Sequence, residues 1–137
     1  MAEREEQNLA IVRALWAGFR SGGIEQLIHL VDDDVEWEPL GAKGAVLRGP
    51  EELRSYFSRM ASAGEELDAI PHSYRVAGDV VVVSGTLRVR GPHGLEERTA
   101  HWVYRLRDGR LVRAEGCDTL EDCERLLAEA ADRARRS

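Results

Sequence analysis

His72, Arg98 and Asp118 are the residues best suited to acid–base chemistry in this chain. An imidazole titrates near neutral pH, so His72 is suited to act as acid, base or hydrogen-bond donor. A guanidinium beside a carboxyl favours its ionised form, so Arg98 would hold Asp118 as a carboxylate able to orient water or a polar group. Each has a plainer reading. His72 follows Pro71 at a strand bend, and Asp118 with Glu121 three residues on resembles the start of a helix. Tyr56, Tyr74 and Tyr104 carry phenols that would donate to a carbonyl oxygen. Trp16, Trp37, Phe57, Met60 and Trp102 supply flat or pliable apolar walls.

Metal and cofactor chemistry find little support. His29, Asp32 and Asp33 have i, i+3, i+4 spacing, but at a helix end facing solvent. Cys117 and Cys123 form neither a CxxC nor a zinc spacing. Phosphate-loop, dinucleotide and Ser-His-Asp patterns are missing, so no metal and no cofactor is expected.

The elements that must position these residues follow from periodicity. Leu9, Val12, Trp16 and Phe19 form one stripe of a helix over Glu3 to Arg20, stopped by Ser21-Gly22-Gly23. Ile24, Leu27, Ile28 and Val31 predict a short second helix, ended by Asp32-Asp33-Asp34 because carboxylates oppose the macrodipole there. Val35 to Glu38 reads as a strand and Pro39 to Gly49 as a loop. Pro50, Glu51 and Glu52 start a third helix that puts Leu53, Tyr56, Phe57 and Met60 on one side. Four strands follow, Leu67 to Ala77, Val80 to Arg90, Leu95 to Arg107 and Arg110 to Cys117, separated by hairpin turns. A last helix, capped by Asp118 or Thr119, has Leu120, Cys123, Leu126, Leu127, Ala130 and Ala131 on its apolar face.

Turn chemistry then sets register, and register sets faces. Gly78-Asp79 as a type II′ turn and a four-residue loop at Gly91 to Gly94 place Val81, Val83, Gly85 and Leu87 beside Tyr104, Trp102, Ala100 and Arg98. A three-residue loop at Arg107-Asp108-Gly109 pairs Trp102 with Ala114, Ala100 with Gly116 and Arg98 with Asp118. A two-residue turn would instead set Trp102 against Glu115, a poorer separation of apolar and polar groups. The expected middle row is His72, Gly85, Ala100 and Gly116. Its small side chains would leave a gap under the helices, hence an apolar pocket. The opposite face, with Val80, Val82, Val103, Leu111 and Cys117 among Thr86, Thr99 and Arg113, suits a dimer interface.

The bulk composition agrees. With 137 residues, 43% hydrophobic and 32% charged, one globular domain spanning 1–137 is the simplest count. A net charge of −6 argues against nucleic acid as partner, and Arg133, Arg135 and Arg136 suit a helix C-terminus. Met1 to Gln7 form no leader, and the longest strongly apolar run, Val80 to Val83, is far too short to span a membrane. A cytoplasmic protein with free thiols is expected.

Val35-Glu36-Trp37, Leu47-Arg48-Gly49 with its helix reaching Tyr56-Phe57, Ala77-Gly78-Asp79-Val80-Val81-Val82 and Tyr104 to Val112 together carry a resemblance over nearly the whole chain. The order resembles the SnoaL-like branch of the nuclear-transport-factor-two-like, or ketosteroid isomerase-like, superfamily. That resemblance implies a cone-shaped α+β roll: a curved antiparallel sheet on three N-terminal helices, plus a C-terminal helix. It also implies a pocket for a small apolar molecule, and often a homodimer. Some catalytic relatives carry an acid on the last strand in an HWD-like run. Here the stretch is Ala114-Glu115-Gly116, with Gly116 at the acid's place and Asp118 two residues on. The acids flanking an arginine that an epoxide hydrolase of this fold needs are not evident. The expected function is therefore a pocket protein performing cofactor-free isomerisation, cyclisation or hydration. The alternatives are a non-catalytic ligand-binding module and a dimeric adaptor using the outer sheet face.

Overall fold

The structure, a computed structural model, describes residues 2–22, 24–39, 44–62 and 66–136. Helices α1 (Ala2–Gly22) and α2 (Ile24–Ile28) lead into β1 (Val31–Trp37). Then come β2 (Leu47–Arg48), α3 (Gly49–Ser62), β3 (Glu66–Ala77), β4 (Val80–Gly91), β5 (Gly94–Arg107), β6 (Arg110–Cys117) and α4 (Leu120–Arg136). One sheet runs in the order β2-β1-β6-β5-β4-β3 and is antiparallel except between β1 and β6. This is the expected α+β roll, a curved and unclosed sheet packed on helices.

Helix α2 is shorter than its periodicity predicts. It ends at Ile28, and Val31 through Asp34 lie in β1. The Leu30 carbonyl accepts the Leu111 N–H (3.0 Å) and Val31 stands opposite Leu111. Sheet pairing thus takes Val31, whose β-branched side chain suits a strand better than a last helical turn. Asp32 accepts the Asp34 N–H at 2.9 Å. The loop after β1 also holds an unexpected short strand, β2, paired through Glu36–Arg48 and Trp37–Leu47. At the start of α3 the Glu52 carboxylate accepts the Arg48 N–H (2.8 Å), a side-chain cap of the kind an acid in the first turn provides. Met60 belongs to α3, but its side chain, like that of Phe19 in α1, lies outside the described residues, as does Gly64.

Helices α1 to α3 cover one face of the sheet. Val12, Leu15, Trp16, Leu27 and Leu53 pack there on Val35, Val81, Val83, Tyr104, Leu106, Leu111 and Ala114. Helix α4 lies on the other face, where Cys123 and Ala130 pack on Val80, Val82, Val103 and Cys117. The chain's own helix thus covers much of the apolar part of the face expected to suit a dimer interface. Thr119 caps α4, its hydroxyl accepting the Asp122 N–H at 3.1 Å. Asn8, buried in α1, donates to the Gly78 carbonyl (3.0 Å), and Glu5 accepts the Gly78 N–H (2.8 Å). The β3–β4 turn is thereby held at both backbone groups. Among the described residues no helix is long and apolar enough to cross a membrane.

Candidate functional site

The three hairpins decide which side chains face α1 to α3. The β4–β5 ladder follows the expected register, with Val83 opposite Trp102, Gly85 opposite Ala100 and Leu87 opposite Arg98. The β3–β4 turn has Gly78 at φ 57 without a positive φ at Asp79, as a II′ turn requires. It pairs Val76 with Val81 and Tyr74 with Val83 as expected.

Below Tyr74 the expectation fails. Ser73 pairs with Ser84, but Pro71 pairs with Gly85, so His72 is an extra residue in a β-bulge. Proline cannot donate to the ladder, and a bulge is where a strand tolerates one. Past the bulge the parity flips, and Ala69 rather than Ile70 stands opposite Leu87. His72 is exposed, with its Nε2 2.9 Å from the Thr86 hydroxyl. Thr86 alternates with the inward Gly85 and Leu87, so His72 turns to the outer face. Its assignment to the inner row is thus corrected.

Gly85 explains how the bulge fits. A Cβ at Gly85 would collide with the Ile70 carbonyl oxygen, with the carbonyl carbon at 2.9 Å and Pro71 Cα at 3.0 Å. Its missing side chain is therefore not pocket floor. The backbone of β3 occupies that place, which closes this part of the expected gap.

The β5–β6 hairpin also departs from expectation. Asp108 (φ 51) and Gly109 (φ 79) both take positive φ, the mark of a two-residue type I′ turn. Arg107 then pairs with Arg110 and Leu106 with Leu111. A bulge at Val112 shifts the ladder, so Tyr104 meets Ala114 and Trp102 meets Gly116. The total slip is two residues, which keeps Trp102, Tyr104, Ala114 and Gly116 on the inner face. Leu111, expected outside, is inside. Arg98 and Asp118 are not cross-strand partners, because continuing the observed register would set Asp118 beside Ala100. Both residues are exposed.

Aromatic rings are what the fold does gather. Trp16 meets Trp102 edge to face at 4.8 Å between centroids. Trp37 contacts Phe57 at 6.3 Å and Tyr104 at 6.2 Å, and Tyr56 packs edge-on to Phe57 at 5.3 Å. Arg13 of α1 lies over the Tyr74 ring at 4.4 Å, a cation–π contact that shields this end of the cluster. Trp37, Tyr56, Phe57, Tyr74 and Trp102 are all half-buried, so part of each reaches solvent, whereas Trp16 is 7% and Tyr104 2% exposed.

Two polar atoms lie within this apolar set. Trp16 Nε1 is buried without a hydrogen-bond partner among the described residues. Burial pushes the Tyr104 phenol well above the usual tyrosine range; the Trp16 indole eases the shift and Tyr74 adds to it. The indole N–H is thus near the phenol but outside hydrogen-bond geometry with it. Among the described residues the buried set contains no carboxylate, imidazole, lysine or arginine, and Asn8, bound to Gly78, is its polar member. The described residues of the site can therefore donate hydrogen bonds but include no buried carboxylate or imidazole to move a proton. No sequence pattern marks Trp16 as a donor, because its i, i+3, i+4 spacing is that of an ordinary core residue.

An arginine between two acids does occur, though not here. Arg113 lies 3.3 Å from Glu36 and 3.5 Å from Glu115, and Arg48 lies 3.4 Å from Glu36. These residues alternate with the inward Trp37 and Ala114, so the group sits on the outer face. Among the described residues no cluster of three or more His, Cys, Asp or Glu side chains could hold a metal ion.

Comparison with known proteins gives this geometry a setting. No curated protein sequence matches the chain. Among solved structures it is similar to a nuclear-transport-factor-two-like protein of unknown function from Burkholderia pseudomallei, at 23% identity and TM-score 0.73, covering 88% of this chain and 97% of that one. It is similar to TerC co-crystallised with polyporic acid, at 26% identity and TM-score 0.71, covering 89% and 98%. It also shares its fold with a Δ5-3-ketosteroid isomerase from Mycobacterium sp., at 18% identity and TM-score 0.68, covering 84% and 95%. The SnoaL-like domain family matches residues 12–114, and the chain belongs to that family.

Proposed function

We propose that this protein binds a small, mostly apolar molecule between the sheet and helices α1 to α3, and that binding rather than turnover is its principal activity. The half-buried rings of Trp37, Phe57, Tyr74 and Trp102 would hold flat apolar surface. Trp16 Nε1 and the Tyr104 hydroxyl would donate to an oxygen of the ligand. The carrying observation is the Trp16 N–H, buried and unpartnered among the described residues. A buried donor left without a partner costs about 1–3 kcal/mol, which a ligand oxygen would recover. TerC, 26% identical, was co-crystallised with polyporic acid, which makes that molecule the first probe.

The test is a thermal-shift and calorimetric screen with polyporic acid and with steroid-like and polyketide-like compounds. A stabilising compound recovered unchanged supports the reading. Trp16→Phe keeps an apolar ring but removes the donor, and is expected to weaken binding about tenfold. Failure of every compound to bind, or equal affinity in the variant, refutes it.

A second reading is cofactor-free acid–base catalysis by His72, Arg98 and Asp118. Its support is the range of chemistry named for structures of this fold, including the ketosteroid isomerase and a Mycobacterium tuberculosis epoxide hydrolase at 16% identity. It requires these exposed groups to reach bound ligand from the rim. Conversion of a bound compound, lost in His72→Ala or Asp118→Asn, would establish it. We also propose a homodimer through the part of the outer sheet face that α4 leaves open, around Thr86 and Thr99, in a cytoplasmic protein whose thiols are reduced.

A further inference from the structure

A cation stands at the rim of the aromatic cluster with no carboxylate beside it. Arg13 is exposed on α1, one turn before Trp16, and its guanidinium sits over the Tyr74 ring at 4.4 Å. Tyr74 shares a row with Val83 and Trp102 across β3, β4 and β5, and Trp102 is the ring that Trp16 meets edge to face. Arg13 therefore borders the same rings as the buried, unpartnered Trp16 indole N–H. Its own helix offers it no acid, because the residues three and four positions away are Leu9, Ala10, Trp16 and Ala17. Among the described residues Arg13 has no ion pair and no hydrogen bond from its guanidinium. Arg75, next to Tyr74 but on the outer face, instead pairs with Glu124 at 3.5 Å. A ring face attracts a guanidinium through its charge and leaves the N–H donors to bond elsewhere.

We propose that the ligand of this site is an apolar acid in its ionised form, and that Arg13 selects it by taking the ligand's oxyanion in a forked pair of N–H···O bonds while the rings hold the apolar body. The inference rests on the ligand-binding reading above and adds the charge of the ligand. A guanidinium stays charged at any working pH, and its planar fork matches a carboxylate. The Trp16 N–H and the Tyr104 hydroxyl are donors as well, so the polar groups at the rings all suit ligand oxygen. Among the described residues the buried set holds no carboxylate to repel an anion. The chain as a whole carries a net charge of −6, so a site for an anion needs a local cation such as Arg13.

The whole chain is titrated by calorimetry with pyrenebutyrate and with pyrenebutyramide, which share a flat apolar body and differ in charge at one end. The acid is expected to bind about tenfold tighter than the amide in dilute buffer, with a narrower gap at high salt. Arg13→Gln is expected to weaken the acid about tenfold, to the affinity of the amide. Arg13→Lys keeps the charge without the fork and should fall between the two. Arg110→Gln removes the same charge from the exposed β5–β6 turn and should leave the preference for the acid in place. Equal affinity for the two probes in the wild type, or a preference that survives Arg13→Gln, overturns this inference and leaves the apolar site standing. Failure of both probes to bind overturns the ligand-binding reading and this inference with it.

Discussion

Gly85→Ala offers a sharp test of where the interior is filled and where it is open. Adding one methyl here forces contact with the Ile70 carbonyl oxygen, with further contacts at 2.9 Å and 3.0 Å to backbone atoms of Ile70 and Pro71. These atoms cannot swing away as a flexible side chain would. The His72 bulge must shift, or β3 must part from β4. Overpacking of this kind costs about 1–3 kcal/mol and more where backbone must move, so about 3 kcal/mol is expected. For a chain of this size that lowers Tm by roughly 10 °C. Gly91→Ala is the control, because nothing lies within 4 Å of its Cβ and its φ is not positive. It should stay within about 0.5 kcal/mol of wild type. Urea and thermal unfolding by circular dichroism measure both. Wild-type stability in Gly85→Ala would mean that the space beside Gly85 is empty, and that the bulge described here is wrong.

Further expectations follow from the same contacts. Asn8→Ala removes a buried donor to the Gly78 carbonyl and should cost about 1–2 kcal/mol in urea unfolding. Thr119→Ala removes the α4 cap and should cost about 1 kcal/mol. Tyr104 gives a pH dependence of definite sign. Its phenol ionises less readily folded than unfolded, so its contribution is complete below the ordinary value of 10.0 and is lost as pH rises beyond it. Tm should fall above about pH 10, and less steeply in Tyr104→Phe. His72→Ala and Asp118→Asn alter exposed residues and should leave ligand affinity unchanged if binding is the function.

Most of the fold was legible because local signals agreed with one another. The four long strands, both turns flanking β4, and helices α1, α3 and α4 were readable from periodicity and from glycine placement. What escaped was decided by tertiary pairing. Val31 fits a helical stripe, yet the Leu30–Leu111 hydrogen bond draws it into the sheet. Asp108-Gly109 is compatible with two hairpin loops, and the type I′ choice shows only in the φ of Asp108. Pro71 signals a disturbance, but which residue bulges depends on Gly85 across the ladder. These shifts turned His72 outward and moved Asp118 out of direct register with Arg98, while a slip of two kept Trp102 and Tyr104 inside. The aromatic half of the expected site is thus retained, and the acid–base half lies at the exposed edge. The two faces of α1 and α4 packing were likewise beyond periodicity alone, since an apolar stripe does not say which side of a sheet it will cover.

The indole N–H resonances of Trp16, Trp37 and Trp102 provide the most direct measurement. Chain labelled with ¹⁵N is titrated with polyporic acid, and Trp16→Phe assigns the Trp16 signal. The proposed mode of binding predicts that this signal moves furthest downfield, as an unpartnered donor gains an acceptor. Saturable binding that leaves the Trp16 resonance in place would contradict it.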